Sequence, residues 1–316
     1  MTELSRRQLL TSGCVGVAAA AAPTEAMAGI ARPPKEMPPN AVGLLYDSTL
    51  CIGCKACVGA CKAANNMPDG DDDDLSAITL SAIKMYSNGT AEKKDSAIDG
   101  YAFVQRHCLH CVDPTCVSVC PVAAMRKDPA TGIVSYDPDA CIGCRYCLYA
   151  CPFGVPRFEF NNPFGKVTKC QLCRDRQKEG KIPACADACP TGATLFGSVT
   201  DLEQEAARRL AAEPGTPYTF HRGRLGVDDR PPNEATIPTY VKAVYGQHEA
   251  GGTQYRSLAG ISFSLLGLPS LPSQSPAALS EGLQHKIYHW LILPVVAFAG
   301  LLMLVRSRVK DAHPKS

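Results

Sequence analysis

The chain has no charge surplus: 32 Lys and Arg stand against 30 Asp and Glu in 316 residues, a formal net charge of +2. Without a basic surface excess, nucleic-acid binding gets no support. There is no glycine-rich dinucleotide loop and no H-E-x-x-H motif, so neither hydride transfer to a bound nicotinamide nor zinc-protease chemistry has a site. What the chain has in excess is cysteine. Of seventeen, sixteen fall between Cys51 and Cys189.

The two ends differ from the body. Ser5-Arg6-Arg7-Gln8-Leu9-Leu10 is a twin-arginine pattern; a mildly apolar stretch and Ala26-Met27-Ala28 follow it, as in an export signal with its cleavage site. A signal peptide over residues 1–28 is expected, and Cys14, without the residues that precede a lipidated cysteine, is discarded with it. At the other end, Ile287 to Val305 is uncharged and apolar, with Tyr288 and Trp290 where an aromatic belt would lie. Nineteen residues at ~1.5 Å each span about 28 Å, a hydrocarbon core. Arg306, Arg308 and Lys310 follow at once and place the tail, 306–316, in the cytoplasm and the body outside it. Two independent topology signals agree.

The sixteen cysteines form four runs. They are Cys51, Cys54, Cys57, Cys61; Cys108, Cys111, Cys116, Cys120; Cys141, Cys144, Cys147, Cys151; and Cys170, Cys173, Cys185, Cys189. The first and third are near copies, "CIGCKACVGAC" and "CIGCRYCLYAC", each preceded by Tyr-Asp at the same distance: Tyr46-Asp47 and Tyr136-Asp137. Proline follows Cys120, Cys151 and Cys189, whereas Lys62 follows Cys61.

Three chemistries use clustered cysteines. Disulfide scaffolds are shorter and more loosely spaced. Zinc takes separated Cys-x-x-Cys pairs, to which a third cysteine two residues on is surplus. The spacing C-x2-C-x2-C-x3-C instead supplies three thiolates from one tight loop and a fourth for a neighbouring [4Fe–4S] cluster. Gly53 and Gly143 let the loop backbone approach such a cluster, with its amides turned inward. Four runs make two pairs, but spacing does not say which. Both intervening segments, "MRKDPATGIVSYD" and "RFEFNNPFGKVTK", read as hairpins.

"LLYDSTLCIGCKAC", "HCLHCVDPTCVSVCPVAAMRKDPATGIVSYDPDACIGCRYC", "NNPFGKVTKCQLC" and the "GGTQ" at Gly251 resemble the ferredoxin-type subunits of membrane-bound oxidoreductases. Within this group the sequence resembles the iron–sulfur electron-transfer subunit of hydrogenase-2, a likeness carried by "LYDSTLC", the loop Asn161–Gly165 and the protein's own export signal. Formate dehydrogenases and molybdenum reductases have related subunits.

The resemblance implies that the first run pairs with the fourth and the second with the third. One cluster then takes Cys51, Cys54, Cys57 and Cys189, and its neighbour Cys170, Cys173, Cys185 and Cys61. The other pair takes Cys108, Cys111, Cys116 with Cys151, and Cys141, Cys144, Cys147 with Cys120. It further implies an α+β fold of two ferredoxin-like lobes, one inserted in the other: 43–98 with 163–200, and 99–162. An irregular wrapping extension, 201–283, and the single transmembrane helix, 287–305, would follow.

Four clusters at about −2 each would turn the formal +2 into roughly −6. The implied partners are the catalytic large and small subunits of a hydrogenase and an integral quinone-reactive subunit, on the periplasmic side of the bacterial inner membrane. No substrate or organic-cofactor site is visible and no cysteine is spare once the clusters are filled, which favours an electron-transfer subunit over a self-standing redox enzyme.

The remaining features are weaker. His107 and His110 flank Cys108 and are expected at the surface or beside a cluster, the sharper option being an N–H aimed at a sulfur. Asp69 to Asp74 lacks calcium-loop spacing and reads as a solvated insertion. Asp113 lies in a "DPTC" only faintly like a nickel motif. Asp201 to Ala212 reads as a helix with a Thr200–Glu203 capping box, ended by Pro214-Gly215.

Overall fold

The computed structural model describes residues 30–70, 73–227 and 230–312. The expected signal, with Arg6, Arg7 and Cys14, lies outside them, as do Asp71 and Asp72. Residues 34–275 form one compact unit, and the C-terminal helix belongs to a second.

In sequence order, β1 (Val42–Asp47) enters the first cysteine run and α1 (Ala56–Ala64) leaves it. β2 (Ala82–Ser87), β3 (Lys93–Lys94) and β4 (Gly100–Arg106) form a sheet ordered β2-β4-β3, and β4 delivers the second run. α2 (Thr115–Ser118), β5 (Met125–Lys127), β6 (Val134–Tyr136) and α3 (Tyr146–Ala150) carry the second and third runs. β7 (Arg157–Phe158), β8 (Val167–Thr168), α4 (Arg174–Lys178) and α5 (Ala184–Asp187) carry the fourth. β9 (Thr194–Ser198), α6 (Val199–Ala211), β10 (Pro217–Phe220), β11 (Gly223–Arg224), β12 (Asn233–Thr236), β13 (Tyr255–Leu258) and α7 (Pro276–Ala312) complete the fold.

Both expected hairpins are present. β5 pairs with β6 antiparallel, Met125 opposite Tyr136, and β7 with β8, Arg157 opposite Thr168.

The main sheet is ordered β11-β9-β1-β13. β1 is its apolar centre, with Leu44, Leu45 and Tyr46 all buried, as a strand covered on both faces requires. It pairs antiparallel with β9 and parallel with β13, Leu45 opposite Arg256. The segment expected as an irregular extension therefore supplies four strands, and two of them, β11 and the fully buried β13, are part of the central sheet. Its proline and glycine punctuation hid a strand of only four residues.

α6 is amphipathic: Val199, Leu202, Ala206 and Arg209, three or four residues apart, face inward. Leu202 and Ala206 pack with Leu45, Leu195 and Leu258 of the sheet. The helix begins two residues before the expected start. Its cap is Ser198, whose hydroxyl accepts from Asp201 N at 3.1 Å, not the Thr200–Glu203 box. Glu203 instead accepts from Arg256 Nε at 3.0 Å, so a long-range ion pair outcompetes the local cap.

In the second unit α7 is continuous across Pro294. Residues Pro276–Arg306 are long and apolar enough to cross a membrane, with a mean hydropathy of 2.1 over the most apolar stretch and none of that stretch buried. The helix extends beyond the expected 287–305 on both sides, because no glycine cap or second proline interrupts those flanks.

Candidate metal centres

The near-copies of sequence are near-copies of backbone. Gly53 and Gly143 have φ of 70° and 69°, and Lys55 and Arg145, which start the following helices, have φ of 56° and 64°. A Cβ on Gly53 would stand 2.4 Å from the Phe103 ring, so glycine is required for both torsion and space. The tight turn aims amides at sulfur. Leu172 N donates to Cys170 Sγ at 3.3 Å, and the Gly53 and Ala184 amides pull on the Cys51 and Cys173 thiols.

The Cys-Pro pairs end their helices. α3 stops at Ala150 because Pro152 forces Cys151 into an extended conformation, φ −76° and ψ 112°. α2 and α5 likewise stop short of Cys120-Pro121 and Cys189-Pro190. With Lys62 in place of proline, α1 runs on through Cys61 to Ala64, and Lys62 is itself buried.

Tertiary packing sorts the cysteines into groups. Cys51, Cys54, Cys57 and Cys189 line one cavity, whose wall includes Tyr46 and Ile83. Cys61, Cys170, Cys173 and Cys185 line a second, with Asn65 and His107. Cys120, Cys141, Cys144 and Cys147 line a third. Counting mouths open to solvent, the voids between these side chains measure ≈ 310, ≈ 360 and ≈ 370 Å³. Cys111 completes the set: after burial, the neighbours that raise its thiol are Cys151, Cys108 and Cys116.

The groups lie in a row. Cys57 acts on Cys61 and Cys185, Cys108 on Cys170, and Cys147 on Cys116, each across the border between two groups. The order is therefore the Cys51 group, the Cys170 group, the Cys108 group, then the Cys141 group. Cys54 and Cys144 are exposed, one in each end group.

Burial, aided by neighbouring sulfurs, pushes the thiols of Cys57 and Cys170 up to about 12 and that of Cys147 up to about 11. Burial also raises Cys116 to about 12. As thiolates they call for a cationic group among them. Among the described residues no three His, Cys, Asp or Glu converge tightly enough for a single ion. The sulfurs stand round a void instead, which suits a cubane with its iron corners spread apart. Two walls carry orphaned polar atoms. Tyr46 Oη and His107 Nε2 are buried without a hydrogen bond of normal geometry, although the Tyr46 hydroxyl pulls the Cys51 thiol down against its burial. The residues fit [4Fe–4S] clusters.

His107 and His110 are both buried, not at the surface. His110 places Nε2 3.9 Å from Cys170 Sγ, a sulfur of the fourth run and not of its own. Asp113 is buried and pairs with Lys35 at 3.3 Å, which accounts for it without a metal. Of the acidic insertion, Asp73 and Asp74 are exposed and pair with Lys55 and Lys84. Gln254 of the "GGTQ" segment had no assigned role. Its side-chain amide donates to Val42 O at 2.6 Å and Thr131 O at 2.7 Å, tying β1 to the β5–β6 hairpin.

Loops of this geometry define a ferredoxin-type iron–sulfur protein, and the 4Fe-4S dicluster domain family matches residues 100–199. The protein belongs to the family of the hydrogenase-2 operon protein HybA: it is 45% identical to that of Escherichia coli O157:H7 over 287 residues, 87% of each sequence. It is 39% identical over 223 residues to the protein NrfC of Escherichia coli K12, covering 69% of this protein and 91% of the relative. To the B subunit of the anaerobic dimethyl sulfoxide reductase of the same strain it is 38% identical over 201 residues, 62% and 91%.

Proposed function

We propose that this protein is the electron-transfer subunit of a membrane-bound hydrogenase. It would carry electrons through four [4Fe–4S] clusters between the catalytic large and small subunits on the periplasmic face and an integral quinone-reactive subunit. The ligand sets are Cys51, Cys54, Cys57, Cys189; Cys61, Cys170, Cys173, Cys185; Cys108, Cys111, Cys116, Cys151; and Cys120, Cys141, Cys144, Cys147. The first two make one ferredoxin-like lobe, the last two the other.

The observation that carries this reading is the row of four cysteine groups with an exposed cysteine at each end. Each cluster supplies a one-electron carrier whose potential depends on charge, hydrogen bonding and exposure. The protein's own residues hold the sulfurs, aim amides at them and leave no exposed cysteine in the two middle groups. α7 would anchor the body next to the quinone-reactive subunit, after twin-arginine export in the folded state.

The equivalent subunit of a formate dehydrogenase or molybdenum reductase is the second reading, favoured by the likeness to the dimethyl sulfoxide reductase subunit. The hydrogenase reading ranks first because that similarity spans 87% of both sequences.

Iron and acid-labile sulfide should each approach sixteen per polypeptide; a value near eight removes two clusters. Deleting the subunit should abolish hydrogen-dependent quinone reduction in membranes while hydrogen-dependent dye reduction survives. Persistent quinone reduction would overturn the proposal, and activity with formate alone would favour the second reading.

A further inference from the structure

We propose that His110 is a positioning residue at the middle of the row: its imidazole N–H donates to Cys170 Sγ and raises the reduction potential of the cluster held by Cys61, Cys170, Cys173 and Cys185. This rests on the cluster reading above. It adds the residue that sets the step between the two halves of the row.

The proton's place follows from geometry. Val134 N donates to His110 Nδ1 at 3.0 Å, so Nδ1 presents a lone pair and the ring's proton sits on Nε2. That nitrogen is 3.9 Å from Cys170 Sγ.

The ring is held there by its backbone. His110 has φ 49°, an uncommon conformation for a non-glycine residue, and its carbonyl and that of Leu109 both accept from Gln254 N, at 3.3 and 3.0 Å. Val134 serves the contact twice, since its carbonyl accepts from Lys169 Nζ, which also donates to Cys170 O at 3.0 Å.

The location matters because Cys170, a sulfur of the second group, is close enough to Cys108, a sulfur of the third, for the two to influence each other. His110 comes from the loop of Cys108 and Cys111 and reaches across to the second group. An N–H aimed at a thiolate favours the more negative, reduced state, so it raises the potential. One electron leaves one group as the next gains it, and no proton moves.

The test uses anaerobically purified full-length protein with 15N-labelled histidine. Pulsed EPR of the wild type should show an imidazole nitrogen coupled to one cluster, the one whose signal Cys173→Ser alters. His110→Phe should lose that coupling and lower that cluster's midpoint by about fivefold in the reduction equilibrium, about 40 mV at 59 mV per tenfold for one electron. The other three midpoints and the iron content should stay unchanged. His110→Gln, which keeps an N–H donor, should recover part of the shift. With iron at sixteen, an absent coupling or an unmoved midpoint in His110→Phe overturns the proposal alone. If iron is low and the signal altered by Cys173→Ser is missing, the cluster reading falls and this proposal with it.

Discussion

Arg209 Nη1 lies 3.0 Å from Asp47 Oδ2, and both side chains are fully buried. The same carboxylate accepts from Thr49 N at 3.0 Å and from Tyr240 Oη at 2.6 Å, and Arg209 Nε donates to Glu205 at 2.8 Å. One charge network thus joins the end of β1, just before the first cysteine run, to α6 and the segment after β12. In the repeat, Asp137 accepts from Asp139 N at 2.9 Å and Ala140 N at 3.3 Å, and its ion pair with Arg126, at 3.8 Å, is solvent-exposed.

Asp47→Ala should therefore cost ~3–5 kcal/mol by stranding a buried guanidinium, and Asp137→Ala only about 1 kcal/mol. Urea midpoints of the two anaerobically purified variants test the difference. Equal losses would mean that the buried network contributes nothing beyond the local turn.

The network also gives an acid dependence. Burial pushes the Glu205 carboxyl up, but Arg209 and Arg208 outweigh it and leave the group below its ordinary 4.5. A depressed carboxyl stabilises the fold above about 4.5, and the contribution is lost as pH falls through the folded value. Glu205→Gln should be less stable than wild type at pH 7 and converge on it below pH 4.5. A constant gap between urea midpoints at pH 7, 5 and 4 would exclude this linkage.

The ligand sets predict which spectrum each fourth-position cysteine disturbs. Cys61→Ser should alter the EPR signal of the cluster on Cys170, Cys173 and Cys185, and Cys120→Ser that of the cluster on Cys141, Cys144 and Cys147. A Cys61→Ser change confined to a second- or third-run cluster would refute the proposed exchange.

For topology, a reporter fused after Lys310 should be active only in the cytoplasm, because the positive flank of α7 stays inside. Replacing Arg6 and Arg7 by lysine should leave the body unexported. Normal export of that double variant would mean that another subunit carries the signal.

Local spacing determined much of this protein. The cysteine runs, both hairpins, the presence of α6 and the C-terminal apolar helix were legible because each depends on residues within one or two turns of polypeptide. The tertiary structure decided what depends on the polypeptide returning to itself. β13 pairs with β1 across some two hundred residues; nothing in "YRSL" announces a parallel partner, and closing so long a loop is repaid only by burial in the finished sheet. Glu203 left its local cap for Arg256, and His110 passed over the sulfurs of its own run for Cys170. Such choices follow from which groups end up desolvated together, a property of the packed interior that no spacing of residues along the sequence contains.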